Sequence, residues 1–79
     1  MTVRDHMVIA LASATYRYPA ARETDALELV GYTPTRFWQR VGWLIDQPHV
    51  EREYSTFVRR QRRLRDARAR QRSVRRLSA

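Results

Sequence analysis

Cysteine is absent from this chain, which excludes a disulfide framework and a thiolate zinc site. The two histidines, His6 and His49, lie far apart and neither has a second ligand at motif spacing, so both read as surface histidines and no metal is expected. Glycine occurs only at Gly31 and Gly42, too few for a glycine-rich phosphate loop. No nucleophile elbow is present, and Glu51 and Glu53 fall on different faces of a helix, so the chain reads as a non-enzyme without cofactors. The longest apolar run, Met7 to Ala12, is too short to span a bilayer. With Asp5 and His6 before it, it is also too short for a secretory signal, and a cytoplasmic, nucleoid-associated location is the expectation. There is no internal repeat.

Lysine is missing too: all 16 basic residues are arginine. A GC-rich genome accounts for that choice more readily than chemical selection. Its physical consequence holds either way, because guanidinium groups pair with phosphate and guanine edges in bidentate fashion and stack on bases.

What is present is a charge asymmetry. From Met1 to Val58 six arginines face seven acids. From Arg59 to Ala79 ten arginines, Arg59, Arg60, Arg62, Arg63, Arg65, Arg68, Arg70, Arg72, Arg75 and Arg76, face the single acid Asp66. The net charge of +8 therefore lies wholly in the C-terminal segment. Such a block attracts polyanions at long range and supplies phosphate contacts, making nucleic acid the default partner. The block lacks a continuous apolar face of large residues, which argues against a membrane surface. The chain divides into a domain over residues 1–58 and an arginine-rich helix or tail over 59–79. A domain of about 60 residues buries only about 60% of its unfolded surface, so a homodimer, or folding coupled to a partner, is expected.

The periodicity predicts an all-α fold: a small helix-turn-helix bundle of three helices followed by a long arginine-rich C-terminal helix. Thr2 and Asp5 fit a capping box opening a first helix from about Val3 to Arg17. Its stripe is Val3, Met7, Ala10 or Leu11, Ala14 and Tyr18, widened by Val8, Ile9 and Ala12. That breadth means either a central helix or one that meets another chain. Pro19 should end it. A second helix should cover about Ala21 to Val30, with Ala26, Leu27, Leu29 and Val30 inward and Gly31 as left-handed cap. Thr33-Pro34 reads as N-cap and first turn of a third helix running to about Asp46. His49 to Tyr54 reads as a short helical turn. From Ser55 a long helix should follow, capped by Ser55 or Thr56, with Phe57, Val58 and Leu64 packed inward. Its last turns should fray when free and order on an anion.

Two helices joined by a short glycine-containing turn form the helix-turn-helix signature, in which the second helix enters the major groove. In helix 34–46, Phe37, Val41, Leu44 and Ile45 share the core side, flanked by Trp38. Arg36, Gln39, Arg40 and Trp43 project elsewhere, with Thr33 and Thr35 at the N-terminus. Arginine and glutamine read guanine and adenine edges, while the threonines and free N–H groups of the first turn suit phosphate. Trp43 could stack on a base or anchor an interface, but packing under the C-terminal helix is the commoner use of such a residue. Tyr16, Tyr18, Tyr32 and Tyr54 read as core edges.

Ala21-Arg22-Glu23, Leu29-Val30-Gly31, Thr35-Arg36-Phe37-Trp38-Gln39, Leu44-Ile45-Asp46-Gln47-Pro48 and Ser73-Val74-Arg75-Arg76-Leu77 follow one another in a recognisable order. From Tyr18 onward the chain thereby resembles a family of small basic actinobacterial proteins, also found in their phages, described as a domain of unknown function with a predicted helix-turn-helix and an arginine-rich C-terminus. Three positions depart from that pattern. Ala26 replaces a larger aliphatic residue, Arg40 a buried aliphatic and Trp43 a small residue, which implies different packing of helix 34–46 or recruitment of Arg40 and Trp43 for contact. More loosely, the chain resembles the DNA-binding end of sigma factors, at the level of fold alone.

Together these readings predict a DNA-binding protein, a transcriptional regulator or nucleoid-type binder acting on double-stranded DNA. Thr33, Thr35, Arg36, Gln39, Arg40 and Trp43 would lie at the groove and the C-terminal arginines on the backbone. One rival is a protein-interaction module, phage-encoded or regulatory, docking on RNA polymerase or another acidic host protein through Trp43 and the wide face of the first helix. The other is RNA binding through the arginine-rich helix alone.

Overall fold

The structure is a computed structural model that describes residues 1–78, so Ala79, the last residue of the arginine-rich segment, lies outside it. Among the described residues the fold is all-α, with no strand. Five α-helices follow in order: α1 (Val3–Ser13), α2 (Pro19–Asp25), α3 (Pro34–Leu44), α4 (Pro48–Glu53) and α5 (Ser55–Ser78). A π-helical turn, Ala26–Val30, continues α2.

Thr2 caps α1, its Oγ1 accepting the Asp5 N–H at 3.1 Å. The capping box is only half made, because the Asp5 carboxylate turns to Arg40 on α3. The helix is central, packing on α2, the π turn and α3. Its buried side is Asp5, Val8, Ile9 and Ala12, whereas Val3 is exposed, so the residues read as a widening of the stripe are its inner face. The end also differs from expectation. α1 stops at Ser13, whose hydroxyl donates back to the Ile9 carbonyl, and Arg22 donates to the carbonyls of Leu11 and Ala14. Side chains satisfy the last-turn acceptors there, and Pro19 is free to open α2 as its first residue.

The π turn explains a second difference. The wider i→i+5 turn aligns Ala26 with Val30, both buried, and rotates Leu27 and Leu29 outward, where each is more than half exposed. Gly31 closes the turn at φ 74, in the left-handed region that glycine enters without steric cost. Thr33 then caps α3 by accepting the Arg36 N–H at 3.4 Å, with Pro34 at the first position. α3 ends at Leu44, two residues before the expected limit, and the Asp46 and Gln47 N–H groups bond back to Trp43 and Leu44.

Phe37, Val41 and Leu44 of α3, and Ile45 just past its end, meet Val8, Ile9 and Ala12 of α1, Val50 of α4 and Val58 of α5 in one core. Tyr54, at φ −127 and ψ 49, is the joint between α4 and α5, so Ser55 is the first helical residue of α5 and not its cap. Val58 is fully buried and Phe57 half-buried, but Leu64 is 42% exposed and does not reach the core. The division read at 58/59 falls inside α5. At 1.5 Å per residue its 24 residues run about 36 Å. From Arg63 to Leu77 every residue is exposed, so the helix leaves the body as an arm.

Candidate nucleic-acid interface

On α3 the core residues fill one side, and the outward side carries Thr35, Arg36, Gln39 and Trp43, all exposed. With Tyr32 and Arg40, the Arg36, Gln39 and Trp43 side chains line a shallow, open depression of about 290 Å³. Thr33 is committed to the cap, which leaves Thr35 and the first-turn N–H groups at the helix N-terminus.

Arg40 differs from its neighbours. Its Nε donates to Asp5 Oδ1 and its Nη2 to Oδ2, each at 2.9 Å, a bidentate pair that bolts α3 to the first turn of α1. Asp5 is 5% exposed, the one buried charged residue of the described chain. The hydrogen bond from Arg40 holds its carboxyl below the usual carboxylate range against the opposing pull of burial, and the Coulomb attraction of Arg40 and a hydrogen bond from Thr2 act in the same direction as that bond. Arg40 is raised in turn, chiefly by the same hydrogen bond. The guanidinium also lies 4.2 Å from the centroid of the Trp43 ring. That stacking, rather than α5, is what Trp43 packs on, and the indole is 48% exposed. The departures at Arg40 and Trp43 noted in the sequence are thus one unit, anchored by Asp5.

The tryptophan that faces α5 is Trp38. It packs edge-on to Phe37 at 5.1 Å and, with Phe57, Arg60 and Leu64, lines a cleft between α5 and the end of α1. Tyr32 and Tyr54 sit half-buried at core edges as expected, while Tyr16 is half-buried away from the core and Tyr18 is exposed. The Tyr16 hydroxyl donates to Asp25 at 2.6 Å, and that bond pushes its phenol above its ordinary value. His6 accepts or donates at Nδ1 to the Tyr54 hydroxyl at 2.7 Å, a half-buried contact rather than a free surface histidine.

The arginines of α5 divide. Arg62 donates to the Ile45 carbonyl at 2.8 Å and pairs with Glu51 at 3.2 Å. Arg65 pairs with Asp46 at 3.1 Å. The other eight of the ten, Arg59, Arg60, Arg63, Arg68, Arg70, Arg72, Arg75 and Arg76, are exposed and hold no carboxylate among the described residues. Their spacing carries them round the helix rather than along one stripe, so the arm is a cationic rod.

Two further arginines escaped sequence reading. Arg4 donates to the Val30 carbonyl at 2.9 Å and lies 4.1 Å over the Tyr32 ring, and Arg22 caps α1 beside the Tyr16 ring. Nothing local marks either role, since all three acceptors are backbone carbonyls at the ends of other helices. The Asp5–Arg40 pair did leave a trace, an acid in the first turn and a charge at an otherwise aliphatic position.

A model of the family described as protein of unknown function (DUF3263) matches residues 1–73. The chain belongs to that family, and the match takes in α1, which the resemblance read from Tyr18 onward did not. No curated protein and no solved structure matches the chain.

Proposed function

We propose that this family member binds double-stranded DNA, as a transcriptional regulator or nucleoid-type protein working in the cytoplasm. The α2–π turn–α3 segment acts as a helix-turn-helix. α3 enters the major groove, with Arg36 and Gln39 at base edges and Thr35 with the first-turn N–H groups at a phosphate. Arg40 keeps its bond to Asp5 and holds Trp43 against the sugar-phosphate wall. α5 follows the backbone and supplies most of the affinity. The observation that carries the reading is the set of eight exposed arginines on the α5 arm that pair with no carboxylate among the described residues. The resemblance to actinobacterial and phage proteins with a predicted helix-turn-helix points the same way.

Anisotropy of a labelled mixed-sequence duplex, titrated at three salt concentrations, tests it. If most of the free arginines meet phosphates, log Kd changes with log salt with a slope of about 5 to 7. Absence of binding at low salt overturns the reading. A hairpin RNA that outcompetes the duplex replaces it with RNA binding through the arm.

A further inference from the structure

A second concavity lies away from the outward face of α3. It is a cleft of about 590 Å³ between the end of α1 and one side of α5. Trp38, Phe57 and Leu64 form its apolar wall, and Trp38 and Leu64 are 41% and 42% exposed. Its cations are Arg22 at the floor and Arg60 and Arg68 at the rim, and no acid lines it. Arg22 is held by the Leu11 and Ala14 carbonyls, so it lends charge but is not free to move. Arg60 and Arg68 are exposed and bracket Leu64, one turn to either side.

Such a site wants an occupant that is apolar on one face and anionic on the flanks. The wall from Phe57 to Arg68 runs about 16 Å along α5, roughly three turns of a packed helix. A second copy of this chain is disfavoured by charge, since each carries +8. We propose that the cleft docks an acidic amphipathic helix of a partner protein, whose apolar residues cover Trp38, Phe57 and Leu64 and whose carboxylates meet Arg60 and Arg68. This site is separate from the outward face of α3 but shares Arg60 and Arg68 with the arm, so duplex and helix compete for those two side chains and the test is run without DNA.

The probe is a labelled synthetic helix of about 14 residues, leucine at i, i+3, i+4 and i+7 and glutamate elsewhere, titrated with the full chain by anisotropy. Binding is expected, and the Arg60→Glu/Arg68→Glu double variant weakens it about tenfold or more. Arg59→Glu/Arg70→Glu makes the same change in net charge outside the cleft and weakens it about twofold or less. Leu64→Asp, at an exposed position that does not endanger folding, also weakens it about tenfold. A matched peptide with lysine for glutamate does not bind. Equal losses in the two double variants, equal binding of the lysine peptide, or no binding of the glutamate peptide each overturn the proposal. So does displacement of the peptide by a nucleoside triphosphate at low concentration, which makes the cleft a nucleotide or phosphate site. A dimer in sedimentation that Leu64→Asp dissociates overturns it in favour of a second copy.

Discussion

The same residue type does opposite work in the body and in the arm. In the body Arg4, Arg22 and Arg40 lie against carbonyls, rings and a carboxylate, tying α1 to the π turn, to α2 and to α3. Arg62 and Arg65 extend this behaviour to the root of α5. Past Arg65 the arginines face water. The side chain is unchanged; the supply of acceptors differs. Helix-end carbonyls and the Asp5 carboxylate lie in reach of these body arginines, while the arm's own sequence offers one acid to ten arginines. An arginine with acceptors in reach becomes a strut, and one without them keeps its charge for a partner.

Truncation after Arg65 separates the two roles most sharply. It removes five free arginines and none of the struts, so duplex affinity near physiological salt should fall about a hundredfold or more and the salt slope by about four. The thermal midpoint should barely move, because residues 66–77 are exposed. A large loss of stability on truncation would erase the distinction.

Arg40→Met should do the reverse. It leaves Asp5 buried without its counter-charge, at about 2–3 kcal/mol after allowing for the partial exposure of Arg40, as read by urea unfolding. The pH dependence follows from the lowered Asp5 carboxyl. Its folded value lies below its unfolded value, so the stability it contributes is complete above the ordinary carboxylate range and is lost as pH falls through the lowered value. The gap between wild type and Arg40→Met should therefore narrow as pH falls below about 4. A gap that stays constant down to that region would remove the ion pair as its cause.

Arg36→Ala sharpens the comparison within the DNA reading. It should weaken binding to a preferred sequence by about 1–3 kcal/mol and to random duplex by much less, with stability unchanged. Equal losses on every sequence would turn Arg36 into a backbone contact. The smallest effect belongs to Arg65→Ala. Its pair with Asp46 is about half exposed on both sides, so unfolding should shift by about 0.5 kcal/mol or less.

Features that depend on neighbours in sequence were readable before the structure. The Thr2 and Thr33 caps, the Gly31 turn, Pro34 at a first turn and the Phe37, Val41, Leu44, Ile45 face all occur where expected, because each rests on spacings of one to four residues. The misread elements each involve a choice between local alternatives. α1 has apolar residues on more than one side, and only the arrival of α3 and the π turn selects Val8, Ile9 and Ala12 as the interior. Leu27 and Leu29 point outward because one π turn shifts the register by a fraction of a turn, which no apolar count reveals.

The candidate site divides in the same way. The cationic arm was written in composition, since ten arginines against one acid cannot neutralise themselves in any fold. The outward set Thr35, Arg36, Gln39 and Trp43 followed from helical period. That Arg40 is a strut, that Trp43 stacks on it, and that Trp38 rather than Trp43 faces α5 depended on contacts across tens of residues. Sequence alone determined where α1 and α3 begin, which residue turns left-handed and where the charge lies, because those are properties of a residue and its near neighbours. Tertiary structure decided which charges are consumed inside the chain and which stay free, because a guanidinium's fate depends on whether an acceptor from a distant segment lies within about 3 Å.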